Sequence, residues 1–260
     1  MADFNNYQNR MAQNRAQTGA MIDEGLRAYM LKVYNLMALA LVITGVAAFG
    51  FAMLATTSDP AAAVATLPNG KMLTSLGALV YASPLRWVVM LAPLGLVFFL
   101  SFRIQNMSVS AAQTTFWVYA ALMGVSLSSI FLRYTEGSIV QTFFVTAASF
   151  GALSLYGYTT KKDLSGFGSF LIMGLFGLII ASIVNIFLGS GALQFAISAI
   201  GVLIFAGLTA YDTQKIKEMY FDADDVAVAG RKAIMGALTL YLDFINLFTF
   251  LLQFLGNRDD

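Results

Sequence analysis

The chain has 260 residues, of which 58% are hydrophobic and 11% charged, against about 25% charged in an average soluble domain, so a water-soluble globule is excluded. With 15 basic and 14 acidic residues the net charge is +1, and no overall field draws the chain to nucleic acid. Cysteine and histidine are both absent, which removes disulfide and thiol chemistry, zinc sites built on imidazole or thiolate, and serine–histidine hydrolysis.

Residues 1–32 are rich in Gln, Asn and Ala and lack the continuous apolar core of a cleavable signal peptide. They read as a polar cytoplasmic tail preceding a retained first helix. A spanning helix takes about 20 apolar residues, and seven apolar stretches follow, at 33–55, 87–104, 114–132, 138–159, 167–188, 193–214 and 233–255. The expected fold is an all-α multi-pass membrane protein, with residues 33–256 forming a single seven-helix membrane domain.

The 56–86 connection carries the turn signals Asp59-Pro60 and Pro68-Asn69-Gly70 around an Ala-rich stretch, and is expected to hold a short helix on the outer surface. Gly189-Ser190-Gly191 parts the fifth and sixth stretches and forces an antiparallel hairpin. Residues 215–232 read as the other sizeable loop, with mixed charges.

Basic residues set orientation. With the N-terminus in the cytoplasm, Arg10, Arg15, Arg27, Lys32, Arg103, Lys161, Lys162, Lys215, Lys217, Arg231 and Lys232 lie inside, and Lys71, Arg86, Arg133 and Arg258 outside, 11 against 4. Seven spans then place the C-terminus outside.

Most acids lie in tails or loops, but Asp212 falls near the end of the sixth stretch and Asp243 well inside the seventh. A carboxylate in mid-membrane costs about 2.5–3.5 kcal/mol on insertion scales, so such residues face the protein interior and find partners. At 100° per residue Gly236, Thr239, Asp243, Asn246 and Gln253 share one stripe, and Ser198, Gly201, Thr209 and Asp212 share another. Thr209, Thr239 and Asn246 are therefore candidates to line a polar path beside the acids.

If the sixth helix ended at 214, Asp243 would lie roughly 15 Å deeper than Asp212. Continuation through Tyr220, with Lys215 and Lys217 snorkelling, would let the two meet. Carboxylates in contact cannot both ionise cheaply, so such a pair would share a proton and act as a switch without histidine. The alternative is that each Asp hydrogen-bonds a neighbouring helix as structural glue. Arg103, at the end of the second span, is the nearest candidate counter-charge, and otherwise a positive-inside anchor. Lys161-Lys162-Asp163 reads as a solvated loop. The 13 methionines and 22 phenylalanines are spread over all spans and read as packing or lipid-facing residues.

The run Ala210-Tyr211-Asp212-Thr213-Gln214-Lys215-Ile216, followed by Leu240-Tyr241-Leu242-Asp243-Phe244-Ile245-Asn246-Leu247-Phe248, resembles the signature of the Bax inhibitor-1 family. Lys161-Lys162-Asp163-Leu164 and Asn185-Ile186-Phe187 extend the resemblance over residues 85–256. It implies seven helices with the last one central, in a bacterial inner-membrane protein. It also implies a calcium leak latched by an aspartate pair at Asp212 and Asp243, with Arg103 as the latch arginine. Full ionisation of that pair would leave anionic oxygens suited to Ca2+. On this reading the chain is not an enzyme and carries no cofactor. Its partners are the bilayer, calcium ions and protons. Some relatives are instead associated with regulating a membrane-embedded AAA protease, so a non-conducting regulator is the rival expectation.

Overall fold

A computed structural model describes the backbone of residues 2–257 and the side chains of residues 23–257. Seven long helices follow one another: α1 (Ala2–Ala55), α2 (Leu85–Arg103), α3 (Val109–Leu127), α4 (Glu136–Thr159), α5 (Ser165–Leu188), α6 (Gly191–Glu218) and α7 (Val226–Leu255). Each is long and apolar enough to cross a bilayer, so the chain is a multi-pass membrane protein of the expected class. The backbone read as a tail is part of α1 from Ala2 onward. Its side chains before Asp23, and the C-terminal end used in the orientation argument, lie outside the described residues.

Helix ends inside a membrane protein need local partners for their free N–H and C=O groups. Ser108, Thr135, Ser190 and Asp225 cap α3, α4, α6 and α7 by accepting from the backbone N–H three residues on. Gly189 closes α5 at φ 60°, the left-handed conformation that a side chain resists. The hairpin expected at Gly189-Ser190-Gly191 therefore forms.

α7 is the axis of the bundle, packing on α1, α3, α4 and α6. Its most apolar stretch is 67% buried, against 17–33% for the other spans. Tyr241 sits at the centre, edge-on to Phe116 and Tyr119 with centroids 5.9 and 5.7 Å away, and its hydroxyl shares a 2.6 Å hydrogen bond with Thr44. Small residues let backbones approach: a Cβ on Gly157 would strike the Ala210 backbone, and one on Gly124 the Thr44 carbonyl. The opposite helix faces expose Phe102, Phe170 and Phe187, as lipid-facing surface does.

Two connections differ from the sequence expectation. The 56–86 segment folds as three two-residue antiparallel strands, β1 (Thr56–Thr57), β2 (Ala65–Thr66) and β3 (Met72–Leu73), in the order β1-β3-β2. Its helical part is one turn at Ser75–Gly77 leading into Ala78–Ala82, not the Ala-rich stretch. Pro60, Pro68 and Gly70, the last at φ 81°, interrupt any helix there. Likewise the loop read at 215–232 shrinks to 219–225, because α6 runs on to Glu218 and α7 starts at Val226.

Candidate ion site between α5, α6 and α7

The length of α6 determines the site. Lys217 reaches back along the helix surface, donating to the Tyr158 carbonyl at 2.8 Å and lying 5.5 Å from the Tyr158 ring centroid. Lys215 lies 5.8 Å from the Tyr211 ring centroid. These contacts carry the helix past its charged residues, so Asp212 falls about two turns inside its end.

Asp212 on α6 and Asp243 on α7 line the same cavity, close enough for their carboxyl groups to interact directly. Asp243 is 4% exposed and Asp212 half-buried. No N–H or O–H of the described residues reaches Asp243 Oδ2, and neither aspartate forms an ion pair among those residues. An ionised carboxylate only accepts. Two carboxylates placed this way cannot both ionise cheaply.

The pair opens on a cavity of about 570 Å³ between α5, α6 and α7. Tyr211, Lys215, Thr239 and Asn246 line it beside the aspartates, and Leu175, Ile179, Ile183 and Phe205 supply apolar wall. The Thr239 hydroxyl donates to the Met235 carbonyl and Asn246 Nδ2 to the Leu242 carbonyl. Their side-chain oxygens are left as acceptors. No cluster of three or more acidic ligands exists among the described residues, so oxygens of two carboxyls, an amide and a hydroxyl are what a hard cation would meet here.

Farther along the same cleft Phe205 and Phe250 stack with centroids 5.7 Å apart. Gly201 makes room for the Phe250 ring, which any Cβ there would strike. Beyond the stack, Asn185 donates to Gln194 at 3.1 Å, Gln194 to Gln253 at 3.0 Å, and Ser198 to Gln253 at 3.2 Å, tying α5, α6 and α7 together.

The structure sorts the residues singled out by sequence. Asp212, Asp243, Thr239 and Asn246 come together on the cavity. Thr209 does not: it is fully buried, donates to the Phe205 carbonyl, and lies below Thr213 on the face of α6 that meets α4. Its place on the Asp212 stripe was too generous by one helix face. Arg103 is exposed at the end of α2, which packs on α3, and has no hydrogen bond or ion pair among the described residues. The cation on the cavity is Lys215, read from sequence only as a snorkelling residue.

Gln214 was missed altogether. It is buried, donates to the Lys162 carbonyl at 2.8 Å and accepts from the Leu164 N–H at 2.9 Å, so the backbone of the 161–164 connection is clamped rather than free. The adjoining Asp163 carboxylate accepts from the Ser165 N–H, which holds it below the usual carboxylate range. The signal was present: a glutamine two residues after Asp212 in an apolar helix needs a buried partner.

The fold and site thus define a seven-helix membrane protein whose central helix presents one half of an intramembrane carboxyl pair. The family model described as Inhibitor of apoptosis-promoting Bax1 matches residues 26–260, and the chain belongs to that family. It is similar to the inner membrane protein YbhL of Escherichia coli strain K12, with 47% identity over 90% of this chain and 93% of that one. It is also similar to a Caulobacter vibrioides protein, at 48% over the whole of both chains, and to a Rickettsia prowazekii protein, at 51% over 92% and 93%.

Proposed function

We propose that this protein is a pH-sensitive calcium leak channel of a bacterial inner membrane, closed by the proton shared between Asp212 and Asp243. The juxtaposition of the two carboxyls is the observation that carries the reading, since two acids so placed cannot both ionise cheaply and favour a shared proton. Loss of that proton turns the bond into repulsion between two anions on neighbouring helices. The same event leaves anionic oxygens beside Asn246 and Thr239, a set that attracts Ca2+ yet has too few ligands to hold it tightly. Similarity to an inner membrane protein supports the location.

The cleft supports a closed state of this kind. The Phe205–Phe250 stack lies along α6 and α7 between the Asp212/Asp243/Asn246 group on the cavity and the Gln194–Gln253 hydrogen bond beyond it. A hydrated cation does not cross a dry aromatic constriction. Separation of α6 from α7 on deprotonation would part the two rings, because one ring comes from each helix.

The test is calcium flux into liposomes holding the purified protein, measured from about pH 6 to 8, the range open to a carboxyl pair in an apolar site. Flux that rises with pH is expected. A protein that conducts nothing at any pH would point to the regulatory reading.

A further inference from the structure

The face of the bundle away from the Lys232–Asp224 ion pair holds a second, unrelated pocket. It has a volume of about 650 Å³ and lies between the 67–69 turn, the start of α2 and the end of α3. Arg86 and Arg133, far apart in sequence, both line it, and no acidic residue does. Neither arginine has a carboxylate partner among the described residues. The nearby Glu136 lines a separate cavity with Lys71.

The walls are fixed. Tyr81 is held by Ser128 at 2.6 Å and Asn69 donates to the Leu132 carbonyl at 2.7 Å. The Arg86 guanidinium lies 5.0 Å from the Trp87 ring centroid. Arg86 also belongs to the first turn of α2, at the positive end of the helix dipole.

The pocket is amphiphilic rather than merely basic. Ser126 and Asn69 accompany the arginines, while Val89 and Met90, on the same face of α2 as Arg86, and Val125 form an apolar wall. That wall runs into the lipid-facing stripe of α2, where Met90, Leu91 and Leu94 are 56%, 58% and 51% exposed. An unpaired cation pair at the end of a membrane helix, above an apolar strip, matches a phosphate with an acyl chain beneath it.

We infer that this pocket binds an anionic phospholipid, with its phosphate between Arg86 and Arg133 and a chain along the exposed face of α2. The lipid would brace the 67–69 turn against α2 and α3. Zwitterionic lipid binds less well, because its own ammonium group competes for the phosphate charge.

Trp87 lies in the pocket and the chain has only 2 tryptophans, so Trp117→Phe leaves a single reporter. That variant would be reconstituted in phosphatidylcholine and titrated with phosphatidylglycerol or phosphatidylcholine brominated on the acyl chains. Half-maximal quenching of Trp87 is expected at a several-fold lower mole fraction of the brominated phosphatidylglycerol. Arg133→Gln, which leaves the Arg86–Trp87 contact in place, should shrink that difference, and R86Q with R133Q should abolish it. Arg27→Gln should leave it unchanged, since Arg27 lines a different cavity. Equal quenching by the two lipids in the parent, or an undiminished preference in the double variant, would overturn the assignment.

Discussion

Each side chain in the Tyr211–Gln214 run meets a different neighbour, so substitutions there should dissociate cleanly. Asp212→Asn or Asp243→Asn keeps the shape of the carboxyl pair but fixes a neutral partner. Either should flatten the dependence of flux on pH between about 6 and 8, and the double variant should add little, because one coupled unit has already been removed. Wild-type pH response in both single variants would return these residues to a structural role. Thr213 points the other way, sharing a 2.9 Å hydrogen bond with Ser154, which in turn bonds Tyr34 at 2.6 Å. Thr213→Val should lower stability by about 1 kcal/mol, seen as an earlier thermal transition in detergent, with the pH response of the flux intact. Asp163 gives a third, purely thermodynamic case. Its folded carboxyl loses its proton more readily than in the unfolded chain, so its stabilisation is present above the ordinary carboxylate range and fades as pH falls through the lowered value. Asp163→Asn should accordingly depress the thermal transition at pH 7 and have no effect near pH 2.

Among the elements, α6 and α7 carry the site and α5 covers it. The aromatic stack between them should act as a barrier independently of any calcium flux. Because the chain has no native cysteine, Asn246→Cys supplies a single thiol on the cavity side of the stack. A membrane-impermeant thiol reagent added from the Gln253 side should not reach it, but should do so once Phe250→Ala is added. Blocked labelling in the double variant would show that the stack is not what closes the cleft. Close packing is equally testable. Gly157→Val should cost about 1–3 kcal/mol through overpacking against Ala210, while Gly151→Val, where a side chain would meet open space, should be tolerated far better.

How much of this was legible depended on the kind of signal. The seven helices and the Asp212/Asp243 meeting follow from hydropathy, the cost of a buried charge, and a helix that could outrun its apolar stretch. Thr209 was misplaced because a stripe 100° wide cannot say which of two neighbouring helices it faces. Arg103 was a candidate counter-charge for its charge and side of the membrane, neither of which reports that α2 packs on α3. The 56–86 strands escaped notice because two-residue pairings leave no periodicity to read. Gln214 escaped because polar side chains near a helix end are ordinary until their partners are known.

For the whole molecule, orientation is the property on which physiological direction rests. The 11 to 4 asymmetry of basic residues predicts that a reporter inserted near Asp224 reads cytoplasmic and one fused after Asp260 reads external. Reporters on a common side would overturn the seven-span count in the membrane. The central position of α7 bears in addition on biogenesis. Membrane helices are released to the bilayer as they are synthesised, and the helix that fills the middle of this bundle emerges after the other six. Until it arrives, Phe116, Tyr119 and Thr44 lack the Tyr241 they meet in the finished bundle, and Asp243 has to enter the membrane before it can reach Asp212. A neutral, protonated Asp243 makes that passage at far lower cost than an anion. The proton proposed to close the finished channel would thus be aboard from the moment the last helix leaves the translocon.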